Sequence, residues 1–330
     1  MKIGIIGTGT WGLALGILLS DNGHELTMWS AIAEETENLR KTRVHPVLGT
    51  KMDDSIIFTT DIEEAMKDKE LLVLAVPSIY TRSTAQKMKP YYKPEQIIVS
   101  VGKGIEEDTL KTLVEQIGEE IPGATVSVLC GPSHAEEVAR RLPTVVVSGC
   151  KDQAVAEKVR DAFMSPIFRV YTSDDVMGME LGSSLKNVIA LAADIADGLG
   201  YGDNTKAALI TRGITEIARL GCKMGGRRDT FYGLTGIGDL IVTCASMHSR
   251  NRRAGILIGQ GKTMQEAMDE VHMVVEGVYS AKAARELAEK YNVRMPIVTE
   301  VNRILFEGKD PKLAVDELMT RDSVAEPEAM

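Results

Sequence analysis

The residues best placed to do chemistry begin at position 7. Gly7-Thr8-Gly9-Thr10-Trp11-Gly12 fits G-x-G-x-x-G, with a short aliphatic run, Lys2–Gly7, before it and a helix-period segment, Trp11–Ser20, behind it. Strand, glycine turn and helix in that order make a dinucleotide site. Gly7 permits the tight turn, Gly9 lets the backbone approach a pyrophosphate, and Gly12 lets helix and strand pack closely. The helix start adds free N–H groups and the positive end of its dipole. A second candidate is Lys186, the only charged residue between Leu181 and Ala193. Its ammonium either reaches outward to water or sits by a pocket where desolvation tunes it for proton transfer. Asp194, Asp197 and Glu180 flank that segment and are either solvated or within its reach. A third cluster joins Thr235-Gly236-Ile237-Gly238-Asp239 and Thr243 to His248-Ser249-Arg250-Asn251-Arg252-Arg253. Three arginines at a helix start suit a phosphate monoester, and they suit a solvated basic face equally well.

The elements that must position these residues fall into two groups. Up to about residue 175, short aliphatic runs alternate with amphipathic segments. The runs are Lys2–Gly7, Glu25–Trp29, Ile56–Thr60, Leu71–Val76, Ile97–Val101, Thr125–Leu129 and Thr144–Ser148. Leu71-Leu72-Val73-Leu74-Ala75-Val76 is continuously apolar, the pattern of a strand buried on both faces, so a parallel sheet between helices is expected. One of the helices is expected to start at Thr109. After Ser173 long helix-period segments take over, with Gly198, Gly202 and Gly221 as expected stops. The expected architecture is an α/β N-terminal Rossmann-like doubly wound domain (1–175) followed by an all-α C-terminal domain (176–330).

Composition narrows the classes. With 38 basic and 47 acidic residues the net charge is -9, which disfavours nucleic acid and anionic membranes but permits a local anion pocket. No apolar run approaches the length of a membrane span, and the glycine-interrupted N-terminus reads as part of the fold and not as a leader. Four scattered cysteines and five histidines offer no metal-ligand spacing. A cytoplasmic protein with reduced thiols is the expectation. NAD sites carry an acid at the end of the second strand; here Met28-Trp29-Ser30-Ala31 has none, and Arg40, Lys41 and Arg43 come later. Cofactor choice therefore leans to NADP with NAD tolerated.

Several motifs in order resemble the NAD(P)-dependent glycerol-3-phosphate dehydrogenases, bacterial type, over nearly the whole chain. They are Gly7–Gly12, Ala75-Val76-Pro77-Ser78, Ser100-Val101-Gly102-Lys103-Gly104-Ile105-Glu106, Gly131-Pro132-Ser133-His134-Ala135, Lys186-Asn187, Gly236-Ile237-Gly238-Asp239, Ser249-Arg250-Asn251 and Val274-Val275-Glu276-Gly277. The resemblance implies interconversion of sn-glycerol 3-phosphate and dihydroxyacetone phosphate by hydride transfer, supply of glycerol 3-phosphate for phospholipid synthesis, and a homodimer. It makes Lys186 the general acid/base, with Lys103 and Asp239 in the catalytic set. Cofactor contacts would come from Gly7, Gly9, Thr10, Trp11, Gly12, Lys103, Ala135, Arg250, Val274 and Glu276. The small phosphorylated substrate would meet Lys103, Gly131, Ser133, Lys186, Asn187, Asp239, Thr243, Ser249, Arg250 and Asn251. Ser30-Ala31 departs from bacterial members, which often carry a basic residue or histidine there. The rivals are dehydrogenases of 3-hydroxy acids or 6-phosphogluconate and, from another class, a non-catalytic NAD(P)-sensing regulator.

Overall fold

The computed structural model of the protein describes residues 1–246, 250–271 and 275–322. Two compact units emerge: residues 1–103 with 111–180, and residues 104–110 with 181–330.

The first unit is an eight-stranded sheet, β1 (Lys2–Ile6), β2 (Glu25–Trp29), β3 (Ile57–Thr59), β4 (Leu71–Leu74), β5 (Ile97–Ser100), β6 (Thr125–Cys130), β7 (Thr144–Gly149) and β8 (Phe168–Ser173), in the order β3-β2-β1-β4-β5-β6-β7-β8. Its helices are α1 (Thr10–Asp21), α2 (Ala33–Thr42), α3 (Ile62–Met66), α4 (Thr81–Met88), α5 (Leu113–Glu120), α6 (Ala135–Ala139) and α7 (Gln153–Phe163). The continuous apolar runs have the expected cause. In β4, Leu71 and Val73 join one apolar layer with α1 and α7, while Leu72 and Leu74 join the opposite layer with α3, α4 and α5. Chain order reverses at β1, flanked by β2 and β4, and ligands of such sheets bind at the carboxyl ends of the strands at that switch.

Three expectations need correction. The sheet is not wholly parallel: β6 and β7 pair antiparallel, Val128 opposite Gly149. An antiparallel pair needs no crossover, so only the five-residue α6 sits in the connection. β8 was not expected; Phe168-Arg169-Val170-Tyr171 alternates buried and exposed side chains, as an edge strand covered on one face does. The helix expected from Thr109 starts at Leu113, because Leu110 has φ 59° and Thr112 and Glu115 close a capping box, satisfying the first free N–H groups there.

The second unit is helical. It holds most of α8 (Val176–Gly198), then α9 (Asp203–Lys223), α10 (Arg228–Phe231), one π turn (Leu234–Gly238), α11 (Asp239–Ala245), α12 (Arg250–Gly259), α13 (Met264–Val271), α14 (Glu276–Lys290), α15 (Pro296–Glu307) and α16 (Pro311–Thr320). Gly198 ends α8 and Gly202 caps α9. Gly221 is no stop: it lies inside α9, where an added Cβ would sit 2.0 Å from the Phe231 ring. The glycine is there for close packing. Among the described residues, no helix is long and apolar enough to cross a membrane.

Candidate functional site

The first unit brings the glycine turn together as its spacing suggests. Gly7 has φ 120°, and a Cβ there would meet the Ala75 carbonyl oxygen at 2.6 Å; one on Gly12 would meet the Gly7 carbonyl oxygen at 2.2 Å. Both positions tolerate only hydrogen. Around Gly9, by contrast, a Cβ would meet nothing within 4 Å, so the backbone there is open to a ligand. Gly9 is also the N-cap of α1, with no side-chain cap and no acid in the first turn. The N–H groups and positive dipole of a 12-residue helix thus face that opening. Thr8 Oγ1 is buried without a hydrogen-bond partner, an orphan that a bound polar group would satisfy. Thr10 and Trp11 are half-buried beside it. These features fit a dinucleotide pyrophosphate.

Two side chains of this unit converge on one carbonyl. Lys103 Nζ donates to the Gly131 oxygen at 3.1 Å, and Ser133 Oγ donates to the same oxygen at 3.0 Å. The φ of Gly131 is 148°, with Val146 Cα 3.0 Å from where a Cβ would be. Ala135 begins α6 in the same loop and is buried.

In the second unit, α8 is buried along nearly its whole length from Leu181 to Ala196, as a helix apolar all round must be. Lys186 therefore does not reach water: its side chain is 5% exposed. Its Nζ donates to Asp239 Oδ1 at 2.8 Å and to Thr243 Oγ1. Thr243 Oγ1 in turn donates to the Asp239 carbonyl at 2.7 Å, so its lone pair is what meets the amine. The π turn before α11, a feature frequent at functional sites, closes onto α8: a Cβ on Gly182 would lie 2.7 Å from the Thr235 oxygen. A buried ammonium is tolerated only when paired, and Asp239 pairs it.

Asn187, next to the lysine, accepts from Asn251 Nδ2 at 3.2 Å, while Asn251 Oδ1 accepts the Gly277 N–H at 3.0 Å. Both asparagines are 5% exposed. The contact ties the starts of α12 and α14, hence Glu276, to the turn of α8 that carries Lys186. Ser249, Val274 and the side chain of Arg250 lie outside the described residues.

The flanking acids resolve differently. Glu180 is buried in the first unit and caps α5 by accepting from Val114 N at 3.0 Å; burial pushes its carboxyl up to about 7. Asp194 and Asp197 meet Arg252 Nη1 at 3.5 and 2.7 Å, and Asp197 Oδ2 also takes Lys206 Nζ at 2.7 Å. Arg252 is thus committed to an internal ion pair. Among the described residues, no group of three or more His, Cys, Asp or Glu could hold a metal. Sequence reasoning missed Glu35, whose Oε2 accepts from the Ser30 hydroxyl at 2.8 Å; its only linear signal was an acid in the first turn of the next helix.

Residues 2–156 match the N-terminal family model and residues 175–316 the C-terminal family model of NAD-dependent glycerol-3-phosphate dehydrogenase. The glycerol-3-phosphate dehydrogenase (NAD(P)+) of Agathobacter rectalis is 64% identical over 323 residues, covering 97% of this chain and 96% of that protein. That of Fusobacterium nucleatum is 56% identical over 333 residues, covering 99% and 98%. Among solved structures, the glycerol-3-phosphate dehydrogenase of Coxiella burnetii matches with a TM-score of 0.92 at 34% identity, covering 97% of this chain and 99% of that one.

Proposed function

The chain belongs to the NAD-dependent glycerol-3-phosphate dehydrogenases and interconverts glycerol 3-phosphate and dihydroxyacetone phosphate with NAD(P), and on that premise we propose that Lys186 is its general acid/base. The observation that carries this reading is the buried Lys186–Asp239–Thr243 cluster. The hydride is supplied by the bound nicotinamide cofactor. Negative charge then grows on the C2 oxygen of the ketone. Lys186 gives that oxygen a proton during reduction and takes it back during oxidation. Asp239 and the Thr243 hydroxyl hold the buried amine in one direction, so little reorganisation is needed in the transition state.

The remaining roles follow the resemblance. Gly7, Gly9, Thr10, Trp11, Gly12, Lys103, Ala135, Arg250, Val274 and Glu276 hold the dinucleotide. Lys103, Gly131 and Ser133 act on substrate from the first unit. Ser249, Arg250 and Asn251 hold the phosphate, which fixes C2 for the hydride, and Asn187 is a further substrate contact. Residues 1–175 form the dinucleotide-binding domain and 176–330 the helical substrate and catalytic domain, each lending a few contacts to the other's ligand. The enzyme works as a cytoplasmic homodimer that supplies phospholipid synthesis.

Steady-state turnover of dihydroxyacetone phosphate with each reduced cofactor, in wild type and Lys186→Ala, tests the central claim. The variant should lose a factor of roughly 10²–10⁴ in kcat, the usual worth of a positioned acid, with NAD(P)H affinity kept. Retention of a tenth of wild-type kcat or more would remove Lys186 from the chemistry.

A further inference from the structure

The carboxyl ends of β1 and β2 lie side by side: Ile6 is in register with Trp29, and the Gly7 N–H donates to the Trp29 carbonyl at 2.9 Å. The residue after Trp29 therefore stands beside the glycine turn, at the place where dinucleotide folds read the 2′ position of the adenosine ribose. A carboxylate there accepts from a 2′-hydroxyl and repels a 2′-phosphate. Residue 30 is a serine, whose neutral hydroxyl carries no charge to repel a phosphate.

The fold brings an acid to it. Ser30 Oγ donates to Glu35 Oε2 at 2.8 Å and accepts the Ile32 N–H at 3.1 Å, so its single proton is aimed at the carboxylate. Ser30 is 5% exposed, and Glu35 is half-buried in the first turn of α2. Among the described residues, Glu35 Oε1 carries no hydrogen bond, leaving it to accept from a sugar hydroxyl.

The neighbouring cations are directed elsewhere. Arg40 Nε donates to the Phe58 carbonyl and pairs with Glu37, Arg43 Nη1 donates to the Ile56 carbonyl, and Lys41 pairs with Glu37. His45 feels the charge of Glu35, yet burial pushes its imidazole below the ordinary range, so at pH 7 it carries little charge to attract a phosphate.

We infer that Glu35, anchored by Ser30 at the end of β2, is the cofactor-specificity residue and makes the enzyme prefer NAD(H) over NADP(H). The inference rests on the nucleotide reading of the glycine turn. Without an acid in the strand itself the linear sequence leans to NADP; the acid comes from the following helix.

Calorimetric titration of the full-length protein with NADH and with NADPH, without substrate, tests it. Wild type should bind NADH about tenfold or more tightly than NADPH, the worth of one charge-assisted hydrogen bond. Glu35→Gln should bring the two affinities within about threefold, chiefly by improving NADPH binding once the charge is gone. Ser30→Ala, which frees the carboxylate, should narrow the ratio in the same direction. NADPH binding as tight as NADH in wild type, or an unmoved ratio in a Glu35→Gln variant with native circular dichroism, would overturn the assignment. Binding of neither nucleotide to wild type would overturn the glycine-turn reading along with it.

Discussion

Replacing Asp194 by asparagine tests how α8 accommodates an acid that has no access to water. The residue is wholly buried, and its Oδ2 has no hydrogen-bond partner. Arg252 Nη1 is 3.5 Å from Oδ1 but 2.7 Å from Asp197. Burial raises the carboxyl from its ordinary 3.8 to about 8; Arg252 opposes the rise and Asp197 adds to it. Between those values the native chain holds a proton that the unfolded chain has released. Stability from this residue is thus complete below pH 4 and is lost as pH climbs through 8, at about 1.4 kcal/mol per unit. Asparagine carries no such proton. The difference in unfolding free energy between Asp194→Asn and wild type should therefore move about 4 kcal/mol in favour of asparagine from pH 5 to pH 8, and then level off. An amide N–H buried where Oδ2 now lies costs about 1–3 kcal/mol at every pH, which offsets the curve without changing its slope. Urea denaturation of both proteins from pH 5 to 9 at constant ionic strength measures it. A difference that stays flat across that range would mean that Asp194 is charged in the folded chain and that Arg252 compensates it fully.

Two further substitutions probe the same unit. Asp239→Ala removes the carboxylate from the buried Lys186 ammonium and should cost roughly 3–5 kcal/mol in urea denaturation; Lys186→Met added to Asp239→Leu should recover much of that, and no recovery would contradict the ion-pair account. Gly221→Ala ought to help a helix by about 1 kcal/mol on propensity alone. With the Phe231 ring 2.0 Å from the new methyl, it should instead lower stability by about 1–3 kcal/mol, and a raised Tm would show that the packing constraint is not real.

What could be read in the sequence was what local pattern encodes. Gly7, Gly9 and Gly12 announce the turn because each glycine answers a backbone demand within a few residues. Lys186 stands out because one charge in an apolar helix has few explanations. β8 escaped because Arg169 and Tyr171 point outward, so the segment lacks the continuous apolar run of a central strand. Pairings made between separate elements were not spelled out by any local pattern. Glu35 reaches Ser30 only because α2 turns back over the end of β2. Arg252 looked like one more phosphate arginine until Asp194 and Asp197, more than fifty residues away in sequence, claimed its guanidinium. Gly221 reads as a helix stop in one dimension and as a socket for Phe231 in three.

Near-complete burial of α8 from Leu181 to Ala196 explains why its polar residues are arranged as they are. A polar group on such a helix needs a partner where it stands, and these four differ: Lys186 has Asp239 and Thr243, Asn187 has Asn251, Asp197 has Arg252 and Lys206, and Asp194 meets Arg252 at 3.5 Å with its Oδ2 unpartnered. Closing α12 onto α8 is what makes the last three possible. A Cβ on Gly255 would lie 2.5 Å from Asp194 Cβ, and one on Gly259 would lie 2.3 Å from the Ile195 oxygen. Asn251, Gly255 and Gly259 recur every fourth residue and so share one face of α12. The seam that buries Asp194 is therefore the seam that sets Asn251 against Asn187. The helix that begins with Arg250 cannot slide along α8 without losing both the glycine contacts and the asparagine bridge. The register of Asn251, in the segment proposed to hold phosphate, against Lys186, the proposed acid/base, is thus fixed by packing about one to two and a half turns away.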